Sequence, residues 1–412
     1  MHRCRSTRPA TTAATAPRGS DRSTDGSSEL GSTRSLSAPI EERKTTGQAE
    51  PPGEDRRILV VGTDLAAVAT AGYLTRAGFD PVLASTTRTR PAPTVTVIWE
   101  SGLVLLERLD LREPVVRHGR RLTHLDRLDT GMSWHDDTGG DPSLVAIQRS
   151  HLRQLLTQRV EEHVRTPDRA VTALQSVPSG VRATFETGVV EPFDVAVTAD
   201  RSLLSCRESV TDGGIHTWQF ESMTPSTGAQ EAFDDTRAVF VVPRSEGAQI
   251  TLVTTADTTP AAAVSPASIA DRFASLVPSM PALSRTLAGG FEYRRGRLAT
   301  PVALSHGHIG FVGTAARPAL PGSHLGAAMD LESAWTVADA IASAPAPVTE
   351  TLASYERRRR RRVTRLWDQV SDPHATGSWT PLRLVVRARR LAFSHLIDGS
   401  DPSIARDVPE TL

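Results

Sequence analysis

Gly62, Asp64 and Ala67 occupy the three positions where a strand–turn–helix unit that cradles a dinucleotide carries glycines. In such a unit the first glycine permits the tight turn and the second lets the backbone approach a pyrophosphate. The third allows close packing of helix on strand. Gly62 meets the first demand, and Ala67 is an accepted substitute at the third. Asp64 instead places a side chain and a negative charge where phosphates would lie. At about 6 Å and an effective dielectric of about 20, that repulsion costs roughly 3 kcal/mol per charge. A helix N-terminus returns only ~0.3–1 kcal/mol to an exposed anion and up to ~2 kcal/mol to a partly buried one. Aspartate is also a good helix N-cap. Asp64 is therefore a cap, a disabled phosphate contact, or both.

The other half of a dinucleotide fingerprint is an acid at the end of the second strand, which binds the ribose hydroxyls. Here the strand Phe79–Ala84 ends at Ser85, followed by Thr86, Thr87, Arg88 and Arg90. That stretch is either a polar loop or a hydroxyl and two arginines able to accommodate a ribose 2′-phosphate, as in NADP.

The elements that must position these residues follow from the apolar pattern. Arg57–Leu74 reads as a buried strand, a turn and a helix. Thr94–Ile98 leads into a helix at Gly102–Leu109, and Leu122–Leu128 with Met132–His135 suits a small antiparallel hairpin. Leu144–Ile147 is a short buried strand running into a helix for which Ser150 is placed as N-cap. Strands are expected at Ala170–Gln175, Gly180–Glu186 and Phe193–Ala199. A mostly β section follows over about 215–300, at His216–Phe220, Ala238–Val242, Ala248–Thr254 and Phe291–Arg297, with one or two helices near 266–287. A buried strand at His308–Gly313 precedes a long helix at Leu325–Ala342, and helices at about 348–371 and 380–397 end the chain. Strand–helix alternation combined with a separate antiparallel sheet is an α/β plus α+β layout, with binding expected between the lobes.

The chain has 412 residues, enough for one large two-lobed domain or two ordinary ones. Its 47 basic and 47 acidic residues cancel, so no global charge points to nucleic acid. Cys4 and Cys206 make neither a disulfide framework nor a metal cluster. His118, His124, His135 and His151 lack metal-ligand spacing. No apolar run approaches the ~20 residues of a membrane span. No apolar segment follows the basic start Met1–Arg5, so a secretory signal is not expected. These features imply a cytoplasmic protein. Residues 1–54, rich in Ser, Thr, Pro, Arg and Gly, are expected to form a disordered tail.

Four local features in one order resemble the FAD-dependent monooxygenases of the para-hydroxybenzoate hydroxylase-like class. They are the Gly62 turn, Ile147-Gln148-Arg149-Ser150-His151-Leu152, Phe193–Asp200 through Arg207, and Gly310–Pro318 through Pro321 and Gly326. The second is similar to the family's strand-Arg-x-x-Leu entry to a helix, the third to its Asp-Gly motif, and the fourth to its Gly-Asp motif. Tyr355–Arg359 is similar to a basic helix common after that motif. The resemblance spans about residues 56–372.

It implies an α/β fold: a Rossmann-like FAD-binding domain with an inserted antiparallel β-sheet substrate domain and C-terminal helices. The implied boundaries are 55–214 for the first part of the FAD-binding domain, 215–303 for the substrate-type domain, 304–372 for the return, and 373–412 for a helical extension. The implied cofactor is FAD, with NAD(P)H as transient reductant, and the implied partner is a small-molecule substrate. Cofactor-binding positions carried over are Gly62, Thr63, Ala67, Arg149, Asp200, Gly313, Thr314 and Gly326. The flavin does the chemistry in this family, so no catalytic residue is assigned.

The departures are as consistent as the matches. Arg201 replaces a glycine, Leu204 a serine, Thr314 an aspartate, His324 a small glycine and Ala328 a polar flavin contact. His324 either fills space or titrates near the cofactor. Two functions follow: an FAD-dependent oxidoreductase, a monooxygenase or hydroxylase of a small organic substrate, or a non-catalytic relative with weakened FAD binding that serves as a binding or regulatory module. An NADP-only reductase is a poorer match, because the Asp-Gly and Gly-Asp remnants would have no counterpart there. The six arginines Arg357–Arg362 suit a solvated helix rather than nucleic acid or anionic lipid. Trp218, Phe220, Phe240 and Phe291 are either sheet core or cavity lining.

Overall fold

The computed structural model describes residues 56–371, except 87–94, 128–132, 136–143, 162–163, 205–214, 227, 235, 256–264, 278–282, 297–302, 317–325 and 344–345. In chain order the first elements are β1 (Ile58–Val61), α1 (Leu65–Arg76), β2 (Val82–Ala84), β3 (Val95–Trp99), α2 (Glu100–Glu107) and α3 (Arg112–His118). Next come β4 (Arg120–Arg121), β5 (His124–Arg127), β6 (Ser133–His135), β7 (Leu144–Gln148) and α4 (Arg149–Glu161). They are followed by β8 (Val171–Val177), β9 (Gly180–Phe185), β10 (Val190–Phe193) and β11 (Val195–Thr198). The β-rich section holds β12 (Ile215–Ser222), β13 (Ala229–Phe233), β14 (Arg237–Pro243), β15 (Ala248–Thr255), α5 (Pro266–Phe273), α6 (Leu283–Ala288) and β16 (Glu292–Gly296). The chain then returns through β17 (Ser305–His306), β18 (Ile309–Phe311), α7 (Gly326–Ser343) and α8 (Val348–Ser371).

A five-stranded sheet in the order β17-β18-β11-β1-β2 carries the nucleotide-type unit. Four of its strands are parallel, with Val60 opposite Val197 and Leu83, and Val197 opposite Gly310. All four residues of β1 and of β11 are buried, as expected of parallel strands covered on both faces. Helix α1 is buried along Leu65–Leu74 because α7 and α4 pack on it beside the sheet. Its small residues, and the alanines of α7, let the two helices come together. Helix α4 buries only Leu152, Leu156 and Val160, one stripe at a spacing of four.

The second large sheet has seven strands in the order β16-β12-β15-β14-β13-β5-β6. The hairpin expected near 122–135 forms, with His124 opposite His135, but it extends this sheet by pairing β5 parallel to β13. The sheet thus draws on residues well before 215. One face buries Trp218, Phe220, Val239, Ile250 and Leu252 against Ile269 and Phe273 of α5, with Phe291 packed beside them. Phe240 lies on the opposite face, in register with Thr251 and Glu231. The four aromatics therefore split between core and the other face. Gln249 shares that second face with Thr251, and its Oε1 accepts a 2.7 Å hydrogen bond from the Val95 amide. This face is turned toward β3.

Two expectations need correction. Ser150 is not the N-cap of α4, because Arg149 is already helical. The arginine run is not simply a solvated face. Helix α8 buries Leu352, Tyr355, Arg359 and Val363, a stripe that forces one arginine inward. Arg359 is 2% exposed and donates to the Ser333 hydroxyl (2.9 Å), the Met329 carbonyl (2.9 Å) and the Glu332 carboxylate (2.7 Å). Among the described residues no helix is long and apolar enough to cross a membrane.

Candidate functional site

The site residues gather at the carboxyl ends of β1, β11 and β18. Gly62 turns the chain out of β1 with φ +139°, a conformation that favours glycine, and its amide donates to the Ala84 carbonyl (2.9 Å). A Cβ there would lie 3.0 Å from the Ala67 Cβ. Gly62 and Ala67 therefore touch, as the first and third positions of a tight strand–helix turn should. Thr63 is half-buried between them.

Asp64 caps α1. Its backbone is extended and its Oδ1 accepts a 2.9 Å hydrogen bond from the Ala67 amide. Its Oδ2 lies 3.3 Å from where a Cβ on Gly313 would stand. Gly313, with φ +57°, opens a single 3₁₀ turn after β18, and its would-be Cβ lies 2.9 Å from the Ala66 Cβ. The entry turn of α1 and the turn after β18 thus meet around the Asp64 carboxylate. Thr314 is exposed, and its hydroxyl donates to the Ala199 carbonyl at the end of β11 (3.3 Å).

The remnant of the Asp-Gly motif is bound into the protein. The Asp200 carboxylate accepts from the Ser202 amide (2.8 Å) and caps a short 3₁₀ turn over Arg201–Leu203. Arg201 reaches across to the other motif. Its Nε donates to the Ala315 carbonyl (2.8 Å), a second nitrogen donates to the Ala303 carbonyl, and the guanidinium lies 4.1 Å from the Phe311 ring centre. Arginine where the family has glycine therefore ties β11 to both flanks of the β17–β18 hairpin. Tyr355 of α8 adds a hydrogen bond to the Phe311 carbonyl, and burial pushes its phenol well above the usual range.

Arg149 and Gly326 belong to a second group. Arg149 opens α4 with its guanidinium 3.8 Å from Asp330 Oδ2, on the helix that Gly326 begins. Asp330 is fully buried, an aspartate inside the apolar run Ala327–Leu331. That interruption is a sequence signal for a buried ion pair, one that the glycine pattern does not carry. Ala328 is buried close to Gly102 of α2, whose would-be Cβ stands 3.5 Å from its Cα. The Ser85 carbonyl accepts from the Val171 amide (2.8 Å), tying the end of β2 to β8. His324, Arg207, Pro321, Arg88 and Arg90 lie outside the described residues.

The face of the seven-stranded sheet turned toward β3 is polar for a buried surface. Gln219 donates to the Thr251 hydroxyl (3.3 Å), and Glu231 opposite Phe240 is buried. The buried Thr217 hydroxyl has no hydrogen-bond partner among the described residues. Such a group calls for a water or a ligand. No group of three or more metal-ligating side chains occurs among the described residues.

No protein-family model matches the chain, and no curated protein matches it. Solved structures do. Klebsiella pneumoniae HpxO complexed with FAD and uric acid is 16% identical, covering 85% of this chain and 91% of its own at a TM-score of 0.63. The tetrameric form of 2-methyl-3-hydroxypyridine-5-carboxylic acid oxygenase is 19% identical, covering 82% and 96% at 0.64. P. aeruginosa PqsL in complex with 2-aminobenzoylacetate is 15% identical, covering 83% and 99% at 0.62. Over 82–85% of its length, the chain shares the fold of these flavin-monooxygenase-type structures.

Proposed function

We propose that the chain is an FAD-dependent oxidoreductase, a monooxygenase or hydroxylase acting on a small organic substrate with NAD(P)H as transient reductant. One observation carries this reading. The Gly62 turn with the α1 N-terminus and the Gly313 turn converge at the carboxyl ends of the parallel strands, where doubly wound folds bind dinucleotides. The two left-handed glycines and the helix end fit a dinucleotide held through main-chain groups.

Gly62, Thr63 and Ala67 would line the pyrophosphate, and Gly313 and Thr314 the ribityl chain. Asp200 would hold the loop after β11 in place. Arg149, set by Asp330, and Gly326 would meet the part of the flavin nearest α7. The polar row Gln219–Thr251, with Phe240 and Thr217, would orient the substrate. When bound, the flavin supplies the redox chemistry, and the chain supplies orientation and a dry enclosure. The described relatives in complex with FAD and uric acid or with 2-aminobenzoylacetate support a small, polar, ring-containing substrate. No compared structure favours a non-catalytic module.

The test is the visible spectrum of the purified protein, as isolated and after addition of FAD and desalting. A retained flavin band that bleaches with NAD(P)H is expected. A folded protein that retains no flavin at any FAD concentration would sink the proposal.

A further inference from the structure

We propose that His118 and His151 form a binding site for a divalent transition-metal ion, of the zinc, nickel or copper class, where α3 meets α4. The two rings lie with their centres 4.6 Å apart and their planes tilted by 60°. His118 is the last residue of α3, and His151 stands in the first turn of α4. They are far apart in sequence, so no ligand spacing announces them. A glycine brings them together. Gly119 follows His118, and a Cβ there would stand 2.3 Å from Val145 Cγ1 and 2.8 Å from the Val115 carbonyl oxygen. Only a bare residue lets the end of α3 lie so close to β7, the strand that runs directly into α4. Helix α3 packs on both β7 and α4.

The His118 ring is set in the form that a metal needs. Its Nδ1 lies 2.8 Å from the Pro114 carbonyl oxygen, one turn back along the helix. A carbonyl can only accept, so Nδ1 carries the hydrogen and Nε2 of the neutral ring keeps its lone pair. A backbone carbonyl on the other ring nitrogen is a common support of a metal-bound imidazole. With metal–nitrogen distances of about 2.0–2.1 Å, two imidazoles on one ion have ring centres about 4.5 Å apart at a right angle and about 5.2 Å apart at a tetrahedral angle. The pair already has that separation. His118 is exposed and His151 half-buried, so an ion can arrive from solvent. No third metal-ligating side chain joins them among the described residues, and water completes the shell. Imidazole ligands favour zinc, nickel and copper, whereas magnesium and calcium prefer oxygen. An ion held there would tie the end of α3 to the helix that begins with Arg149. Binding requires neither flavin nor turnover.

The full chain, stripped with EDTA and dialysed, is titrated with zinc, nickel or magnesium chloride by calorimetry. His151→Phe keeps an aromatic ring against His118 but offers no nitrogen, and His118→Asn removes the other ligand at an exposed position. Circular dichroism checks the fold of each variant. We expect the wild type to bind zinc and nickel but not magnesium, and each variant to lose at least about tenfold in zinc affinity. Zinc should raise the thermal midpoint of the wild type and not that of H151F. If H151F does not fold, H118N decides. A wild type that binds no zinc at millimolar concentration would overturn the proposal. Zinc affinity unchanged in either folded variant would do the same, leaving the two rings as a packing contact.

Discussion

Gly313 and Ala66 stand so close that a methyl group on the glycine would lie 2.9 Å from the alanine Cβ. The contact joins β18 to α1 across more than half the chain, and it is available only to a residue that tolerates φ +57°.

Gly313→Ala should therefore destabilise on two counts. A left-handed alanine costs about 1–2 kcal/mol, and overpacking adds about 1–3 kcal/mol. The double variant A66G/G313A should recover the overlap and not the backbone strain. Urea unfolding of the three proteins separates the two costs. A single variant as stable as the wild type would show that the turns do not need this approach.

Arg201 is the second structural device. Replacing it with leucine removes two hydrogen bonds to carbonyls and the stack on Phe311. The expected loss is about 1–3 kcal/mol. Lysine should restore less than half, since it cannot reach two divergent carbonyls with a planar fork. Equal stability of R201L and wild type would assign the residue no structural role.

Arg359 should be the most sensitive arginine of its run. Methionine there removes the buried guanidinium that pairs with Glu332 and donates to Ser333 and Met329, at a cost of about 3–5 kcal/mol. Arg357, exposed on the same helix, should tolerate the same change within about 0.5 kcal/mol. Chemical denaturation of R359M and R357M makes the comparison, and similar midpoints would contradict the inward orientation.

Acid should unfold the protein through its paired carboxylates. Burial alone would raise Glu356, but hydrogen bonds from Arg360 and Ser305 outweigh it and hold the group below its ordinary value. In Asp234 burial is likewise outweighed, by Arg237 and Thr236. Hydrogen bonds from Arg159 and Arg76 lower Asp110, which is exposed and so contributes little. A lowered folded value means stability that is present above the unfolded value, near 4, and lost as pH falls through the folded one. The thermal midpoint of the wild type should drop below about pH 4. E356Q should start lower and fall less steeply, and parallel curves would refute the assignment.

Much of this architecture was legible in the residues, for a physical reason. Buried parallel strands read as unbroken apolar runs, and the Gly62–Ala67 turn needs small residues at fixed spacing, so both leave local marks. The cap at Asp64 is local too. Pairing between distant segments leaves none. Ala229-Gln230-Glu231-Ala232-Phe233 has weak strand propensity and becomes β13 only because β14 and β5 flank it. The hairpin at 124–135 was visible as a hairpin, but not as an edge of the larger sheet. Arg359 was hidden by its neighbours: in a run of six arginines the eye sees charge, while the spacing of Leu352, Tyr355 and Val363 already marked it as inward. The partners that hold Arg149 and Arg201 could not be read from one dimension, since each lies more than a hundred residues away.

The strand order β18-β11-β1-β2 has a consequence for how the molecule comes into being. Residues 58–61 are made early, yet their neighbour on one side arrives only with residues 195–198, and the strand beyond that with residues 309–311. During synthesis the nascent sheet keeps an open edge for most of the chain's length, the kind of surface that slow, non-local folding leaves exposed. The junction of Asp64 with Gly313 cannot form before residue 313 has been made, and α7, which packs on α1, comes later still. A ligand of that junction therefore finds both of its turns only once more than three hundred residues have been made.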